Sequence, residues 1–275
     1  LARKDCYSLE HGVDADLKGH FTSLNRRNVS AFCKKLGVSE NVFFLTAYNL
    51  SIGLFSNEKD TVSSSIHSGR TDSRWNRLAG PLFLTYFFPN KEGVDQTVPE
   101  LLKANATQIM DTMRCYISNL HADEMFFQYQ GDILNIDTVG GYPAERQRMQ
   151  LDSLPFHLQV FTDAKGYYYE LRYWENRFDT RQLQDFLTVM EFLMDAMQEE
   201  TLVRRLSRRL PDRLFPLHYT ITVEELNQAA KCQLVTGVDG KEPVKVYVFD
   251  ENCRKKPFGA WGELYVMDYK PEQVL

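Results

Sequence analysis

The chain has 275 residues, 43% of them hydrophobic and 13% aromatic, enough to bury a core as one large or two smaller domains. Its formal charge of -5 leaves no basic footprint for general nucleic-acid binding. Five cysteines, at 6, 33, 115, 232 and 253, form no CxxC pair; an odd count without that spacing points to reduced thiols in the cytoplasm, not to a disulfide frame or a zinc site. No signal peptide or membrane span is legible, because the longest apolar run, 42–55, is broken by Thr46, Asn49 and Ser51 and falls short of the ~20 residues a span needs.

Residues 1–22 carry His11 and His20 without a periodic pattern. Leu24, Val29, Phe32, Cys33 and Leu36 then mark an amphipathic helix, stopped by Gly37, which suits a left-handed cap. Ser39 can cap the next helix, which runs to Phe55 and is apolar around most of its circumference, as a helix between a sheet and another helix would be. In 62–67, Val62, Ser64 and Ile66 alternate with Ser63, Ser65 and His67, so one face of this strand can be buried while the other stays polar. Ser68-Gly69 breaks it. Arg70 follows; it is either a solvated turn residue or an enclosed guanidinium that must fork onto carbonyls or a carboxylate such as Asp72. After Gly80-Pro81, the apolar run 82–88 reads as a strand covered on both faces and ended by Pro89-Asn90.

Thr97-Val98-Pro99-Glu100 is a capping box opening a helix of roughly 30 Å whose face is Leu102, Ala106, Ile109, Met113, Tyr116 and Leu120. An aromatic strand ends at the Gly131 turn, and the polar stretch 135–150 reads as a mobile loop. The runs 154–161 and 167–174 flank Thr162-Asp163-Ala164-Lys165-Gly166, a hairpin signal. Asp179 caps a last long helix with Leu183, Phe186, Leu187, Met190, Leu193, Met194 and Met197 as its buried stripe. Beyond 200, arginines 204, 205, 208, 209 and 213 with Pro211 and Pro216 read as a solvated linker, since like charges at i, i+4 would repel on a helix. Thr222-Val223-Glu224-Glu225 opens a short helix, and 244–252 with 262–266 form a second hairpin.

Four of these stretches, in this order, resemble motifs from the second half of condensation domains of nonribosomal peptide synthetases. Gly69-Arg70 is similar to the Gly-Arg pair that ends the first. Gly80, Phe83 and Thr85 are similar to Gly-x-Phe-Val-Asn-Thr, with Leu84 in place of the Asn and no Arg after the strand. Phe127, Tyr129, Gln130 and Gly131 resemble Phe-Asn-Tyr-Gln-Gly, with Gln128 for Asn. The segment 173–179 resembles Tyr-Asn-x-x-x-Phe-Asp. Further on, 246–252 and 262–266 are similar to the VYVLDEN and Gly-Glu-Leu-Tyr-Ile strands of adenylation domains, which commonly follow condensation domains.

The resemblance implies an α/β fold of the α+β sandwich type: a chloramphenicol-acetyltransferase-like half-domain with a mostly antiparallel mixed sheet and packed helices, followed by a small β-hairpin segment. The expected division is 1–200 for the condensation half, 201–242 for a linker and 243–275 for the adenylation-like segment. The family's His-His-x-x-x-Asp-Gly motif is absent, since none of His11, His20, His67, His121, His157 and His218 adjoins another His. A positioned general base is worth ~10²- to 10⁴-fold, so this chain alone is expected to be close to inert in amide formation, with no catalytic residue and no metal of its own. Ser68, Gly69, Arg70, Thr85, Tyr129 and Gln130 are the implied tunnel positions. The implied cofactor is 4'-phosphopantetheine carried by a partner, not bound directly. The implied partners are a peptidyl or aminoacyl carrier protein, the N-terminal condensation subdomain and an adenylation domain. Two alternatives belong beside this: a carrier-protein-binding scaffold using the Arg204 to Arg213 cluster, and an oligomeric acyltransferase using His67 or His121, although His67 is more readily a structural or exposed histidine.

Overall fold

The computed structural model describes residues 12–56, 60–68, 73–77, 83–91, 95–114, 125–132, 138–139, 141–143, 154–199, 201–206, 210, 219–230, 239–249, 256 and 263–267. It divides into two compact units: a large one of Arg3–Gly53 and Glu58–Arg209, and a small one of Leu1–Ala2, Leu54–Asn57 and Leu210–Leu275.

The large unit is a six-stranded mixed sheet with helices on one face. Its strands are β1 (Asp14–His20), β2 (Asp60–His67), β3 (Leu84–Lys91), β4 (Phe126–Gly131), β7 (Phe156–Asp163) and β8 (Gly166–Trp174); the short pair β5 (Thr138–Val139) and β6 (Tyr142–Pro143) lies within the stretch read as a loop. The sheet order is β1-β8-β7-β4-β2-β3, with β4 parallel to β2 and β7 and the other three pairings antiparallel. Helices α1 (Arg26–Leu36), α2 (Glu40–Phe55), α3 (Val98–Arg114) and α4 (Thr180–Met197) form the second layer, and α5 (Val203–Leu206) follows.

Local chemistry places the helix ends where the sequence puts them. Asn25 caps α1, accepting from the Arg27 and Asn28 amides, and Gly37 closes it at φ 72° with its N–H on the Lys34 carbonyl. Ser39 Oγ accepts from the Val42 amide, the Thr97/Glu100 box is formed reciprocally, and Asp179 accepts from the Gln182 amide. All seven stripe residues named for the last helix are buried in α4. Residues 42–49 of α2 are all buried, as its apolar circumference implies, and Asn105 of α3 donates to Thr46 of α2 within that interface.

Three expectations change. In β2, Ser63, Ser64 and Ser65 are all buried while Val62 is 57% exposed; β2 is flanked by β3 and β4, and hydroxymethyl side chains fit a strand hemmed in by larger neighbours such as Tyr86, Phe88 and Phe127. The apolar run at 82–88 is not covered on both faces along its length: Phe83 is exposed, only Tyr86 and Phe88 are buried among its described residues, and β3 continues through Pro89 to Lys91 at the end of the sheet order. Proline is tolerated there because an edge strand does not need every N–H. The unpatterned start contains β1, an edge strand with alternating exposure. The C-terminal part of the long helix face, Tyr116 and Leu120, lies outside the described residues.

The small unit pairs β9 (Tyr219–Thr222), β10 (Pro243–Phe249) and β11 (Glu263–Met267) antiparallel in the order β11-β10-β9, with α6 (Val223–Ala230) opened by a Thr222/Glu225 capping box. Val223, Leu226, Val244 and Val246 form its core. The segment read as a linker thus contains a strand and a helix of this unit as well as α5.

Candidate functional site

The register sorts the large sheet into two faces. Phe127, Leu158 and Leu171 stand opposite one another across β4, β7 and β8, and this is the face the helices cover: the Tyr48 ring of α2 lies 5.0 Å from Phe127 and 6.2 Å from Phe156, and Phe186 of α4 meets both Tyr48 and Phe156 edge-on.

Tyr129 belongs to this helix-covered side. Its ring stacks on Phe44 at 5.2 Å, and its hydroxyl donates to the Glu40 carboxylate at the start of α2. Burial, then Glu40, holds the hydroxyl protonated far above the ordinary tyrosine range, and the same two causes act on Tyr167. Burial pushes the neighbouring Cys33 thiol up to about 12, with Glu40 adding to it, so this buried thiol is inert as a nucleophile. Beside this cluster Arg26 Nη2 donates to both oxygens of Asp132 at 2.9 and 2.7 Å, and Asp132 also accepts the buried Thr162 hydroxyl.

Thr85 lies on the other face. It is half-buried on β3, opposite Ile66 in register, so the sheet itself separates it from Tyr129. Ser68 is exposed one residue beyond β2, and Gln130 is half-buried where the β4–β7 register shifts. Gly69 and Arg70 lie outside the described residues, as does His121. The named positions are therefore not gathered at one point among the described residues. A cleft of about 350 Å³ lies elsewhere, at the turn from β8 into α4, lined by Val13, Glu175, Asn176, Phe178, Asp179 and Thr180; His67 does not line it.

The second face carries a polar constellation that motif reading does not single out. Phe126, His157 and Arg172 are directly opposite across β4, β7 and β8, and two residues along come Gln128, Gln159 and Glu170. Gln159 Nε2 donates to Gln128 Oε1 at 2.9 Å, the Phe126 ring stands edge-on to His157 at 4.9 Å, and Arg172 approaches Glu170 at 4.0 Å. Burial and then the Arg172 charge hold His157 down at about 4, so its imidazole is neutral at physiological pH. The signal was present as period-two alternation: His157 and Gln159 interleave with the buried Phe156, Leu158 and Val160. Further along this face His20 Nε2 pairs with Asp163 Oδ2 at 2.9 Å. No group of three metal-ligating side chains occurs among the described residues, and no described helix is long and apolar enough to cross a membrane.

The architecture defines a class: the chain has the condensation-domain-like fold. The solved structures it resembles include a four-domain nonribosomal peptide synthetase bound to AMP and glycine (TM-score 0.60, 15% identity, 73% of this chain and 18% of that one). They also include the cyclization-docking bidomain of a nonribosomal peptide synthetase from Sorangium cellulosum (0.57, 15%, 74% and 45%). A third is the epimerization domain from the third module of tyrocidine synthetase B (0.56, 13%, 73% and 52%). The chain thus spans from about a fifth to about half of the length of these three. No protein-family model matches the sequence, and no curated protein does.

Proposed function

We propose that this chain is the C-terminal subdomain of a condensation-type domain, forming one wall of the site where an amine attacks a pantetheine-bound thioester to make an amide. The observation that carries the reading is the combination of fold and extent: the chain shares this fold while spanning 52% of a neighbour named as an epimerization domain. The neighbours' names span cyclization, epimerization and condensation, so the fold alone does not select the reaction. The choice of amide formation rests on the order of the four motif-like stretches.

In this reading the general base comes from a first half, because no two histidines adjoin in this sequence. Thr85, on the face that no described helix covers, and Ser68, at the strand end, are wall positions in contact with the chain borne by a carrier protein, while Tyr129 positions β4 by tying it to Glu40. The 4'-phosphopantetheine arm belongs to that carrier. The β10–β11 hairpin, with its adenylation-like residues 246–252 and 262–266, is the start of a following module.

The test is reconstitution. The chain is mixed with a separately expressed first half carrying the His motif and with donor and acceptor carrier proteins loaded with aminoacyl groups, and amide product on the acceptor is read by mass spectrometry. The expected result is no product from the chain alone and at least 10²-fold more when the first half is added. Product at equal rate without the first half sinks the reading. Carrier-protein binding with no product in any combination favours a docking module instead; Arg204 and Arg205 are exposed for that role, Arg204 pairing with Asp95 at 3.3 Å.

A further inference from the structure

We infer that β11, at the open edge of the small sheet, pairs antiparallel with β11 of a second copy of this chain about a two-fold axis at Tyr265. The inference does not rest on the reaction proposed above.

A sheet edge presents a row of unpaired N–H and C=O groups and accepts another strand unless something blocks it. The six-stranded and three-stranded sheets have two edges each, and three of these four are blocked. β1 carries the exposed charges Asp14, Asp16 and Lys18; β3 contains the exposed Pro89, which has no N–H; and β9 is four residues long and runs directly into α6. β11 has none of these devices. Glu263, at its start, is its only charged residue, and Leu264 and Tyr265, which point to opposite faces, are 37% and 47% exposed. Exposure on both faces of one strand marks an uncovered edge. Lys256, the one described residue of the β10–β11 connection, lies on the other side of β10: its N–H donates to the Val248 carbonyl, and its own carbonyl accepts from the Tyr219 hydroxyl of β9 at 3.1 Å.

The occupant follows from register and charge. In an antiparallel pair, residues that share a face stand opposite one another, so the two-fold axis passes through a residue, and only an axis at Tyr265 pairs all five residues of β11. Leu264 then meets Val266 of the second copy on the face that holds the Val246 core, and Tyr265 meets Tyr265 on the outer face; apolar and aromatic pairs of this kind are what stabilise adjacent strands. Lys245, in register with Met267 on the outer face, is exposed and has no carboxylate partner among the described residues. Glu263 of the second copy stands opposite Met267, two strand spacings or about 10 Å from Lys245, within reach of two long side chains. Symmetry makes this contact twice. The two Glu263 residues stay about 14 Å apart, beyond the Debye length of about 8 Å at physiological salt. Five paired residues bury less than the ~1,000 Å² of a lasting interface, so the pairing is reversible, with a Kd of roughly 10⁻⁴ to 10⁻³ M.

The experiment is sedimentation equilibrium of the full chain at concentrations up to about 1 mM. The expected result is a weight-average mass that rises with concentration from one chain toward two and no further. Leu264→Lys places a charge on the open edge at an exposed position and should weaken association at least tenfold, with the circular dichroism spectrum unchanged. Lys245→Glu and Glu263→Lys should each weaken it about five- to tenfold, because each turns two attractions into two repulsions. The double variant Lys245→Glu/Glu263→Lys exchanges the signs and should restore association to within about twofold of the parent, a rescue that loss of folding cannot mimic. A chain that stays monomeric up to about 1 mM overturns the inference. So does association undiminished in a folded Leu264→Lys, and so does a double variant that associates no better than the single ones.

Discussion

On the helix-covered face of the large sheet, β4, β7 and β8 oppose Phe127, Leu158 and Leu171; one residue earlier on β4 and β7 and one later on β8, on the other face, they oppose Phe126, His157 and Arg172. The first row is fully buried against α2 and α4, while the second mixes an aromatic ring with a neutral imidazole and a guanidinium. The same three strands serve both, because side chains alternate at a period of two. One face supplies the packing that fixes the fold, and the other is left to hydrogen-bonding groups whose arrangement packing alone does not explain.

The sharpest break of this contrast is a pair of neighbouring substitutions on β4. Phe127→Ala removes a buried ring in contact with Tyr48 and should cost about 3–5 kcal/mol. Gln128→Ala, one residue on, removes no ring but takes the acceptor from the buried Gln159 amide, and should cost about 1–2 kcal/mol. Urea unfolding of the two variants checks this, and equal costs would remove the distinction between the faces.

The second test is by pH. His157 sits at about 4 in the folded chain against an ordinary 6.5. Above pH 6.5 it is neutral folded and unfolded, so it gives no slope. Between 6.5 and about 4 the unfolded chain binds a proton that the folded chain does not, so stability falls as pH falls, by up to roughly 3 kcal/mol. His157→Gln should flatten that part of the curve, and an unchanged slope would mean that the imidazole is solvated.

A smaller effect separates exposed from buried partners of one carboxylate. Arg26 and Asp132 are both largely exposed, so Arg26→Ala should cost less than about 1 kcal/mol. Asp132→Ala also removes the acceptor of a bond from the buried Thr162 hydroxyl, the leading cause of the lowered Asp132 pKa, and should cost about 1–3 kcal/mol. Thermal melting of both variants at pH 7 gives the order, and a larger loss for Arg26→Ala contradicts it.

The sequence exposes the helix-covered face far better than the other. The stripe of α4, the caps at Gly37, Ser39, Thr97 and Asp179, and the β7–β8 hairpin are local signals that tertiary packing then reinforces. β1 escapes notice because Leu17 is the only large apolar residue among its inward positions, and an edge strand needs little more. The three serines of β2 mislead because burial there is decided by the strands on either side, not by the polarity of the residue. The polar row stays hidden for a related reason: His157, Gln128 and Arg172 are far apart in sequence, and only the pairing of three strands makes them neighbours.

A similarly small expected effect, at the ends of α1, shows where the stability of the packed face does not come from. Gly37 closes α1 at φ 72°, a conformation that costs an L-residue about 1 kcal/mol. An added Cβ there would meet no atom within 4 Å, so Gly37→Ala carries backbone strain and no clash. Its cost should therefore stay near about 1 kcal/mol by urea unfolding, with the slope against denaturant unchanged. Asn25→Ala, which deletes the cap at the other end of α1, should cost a similar amount. Both ends of one helix together would then weigh less than the single Phe127 ring. A Gly37→Ala loss as large as that of Phe127→Ala would place the stability of this layer in the helix ends instead of in the contact between helix and sheet.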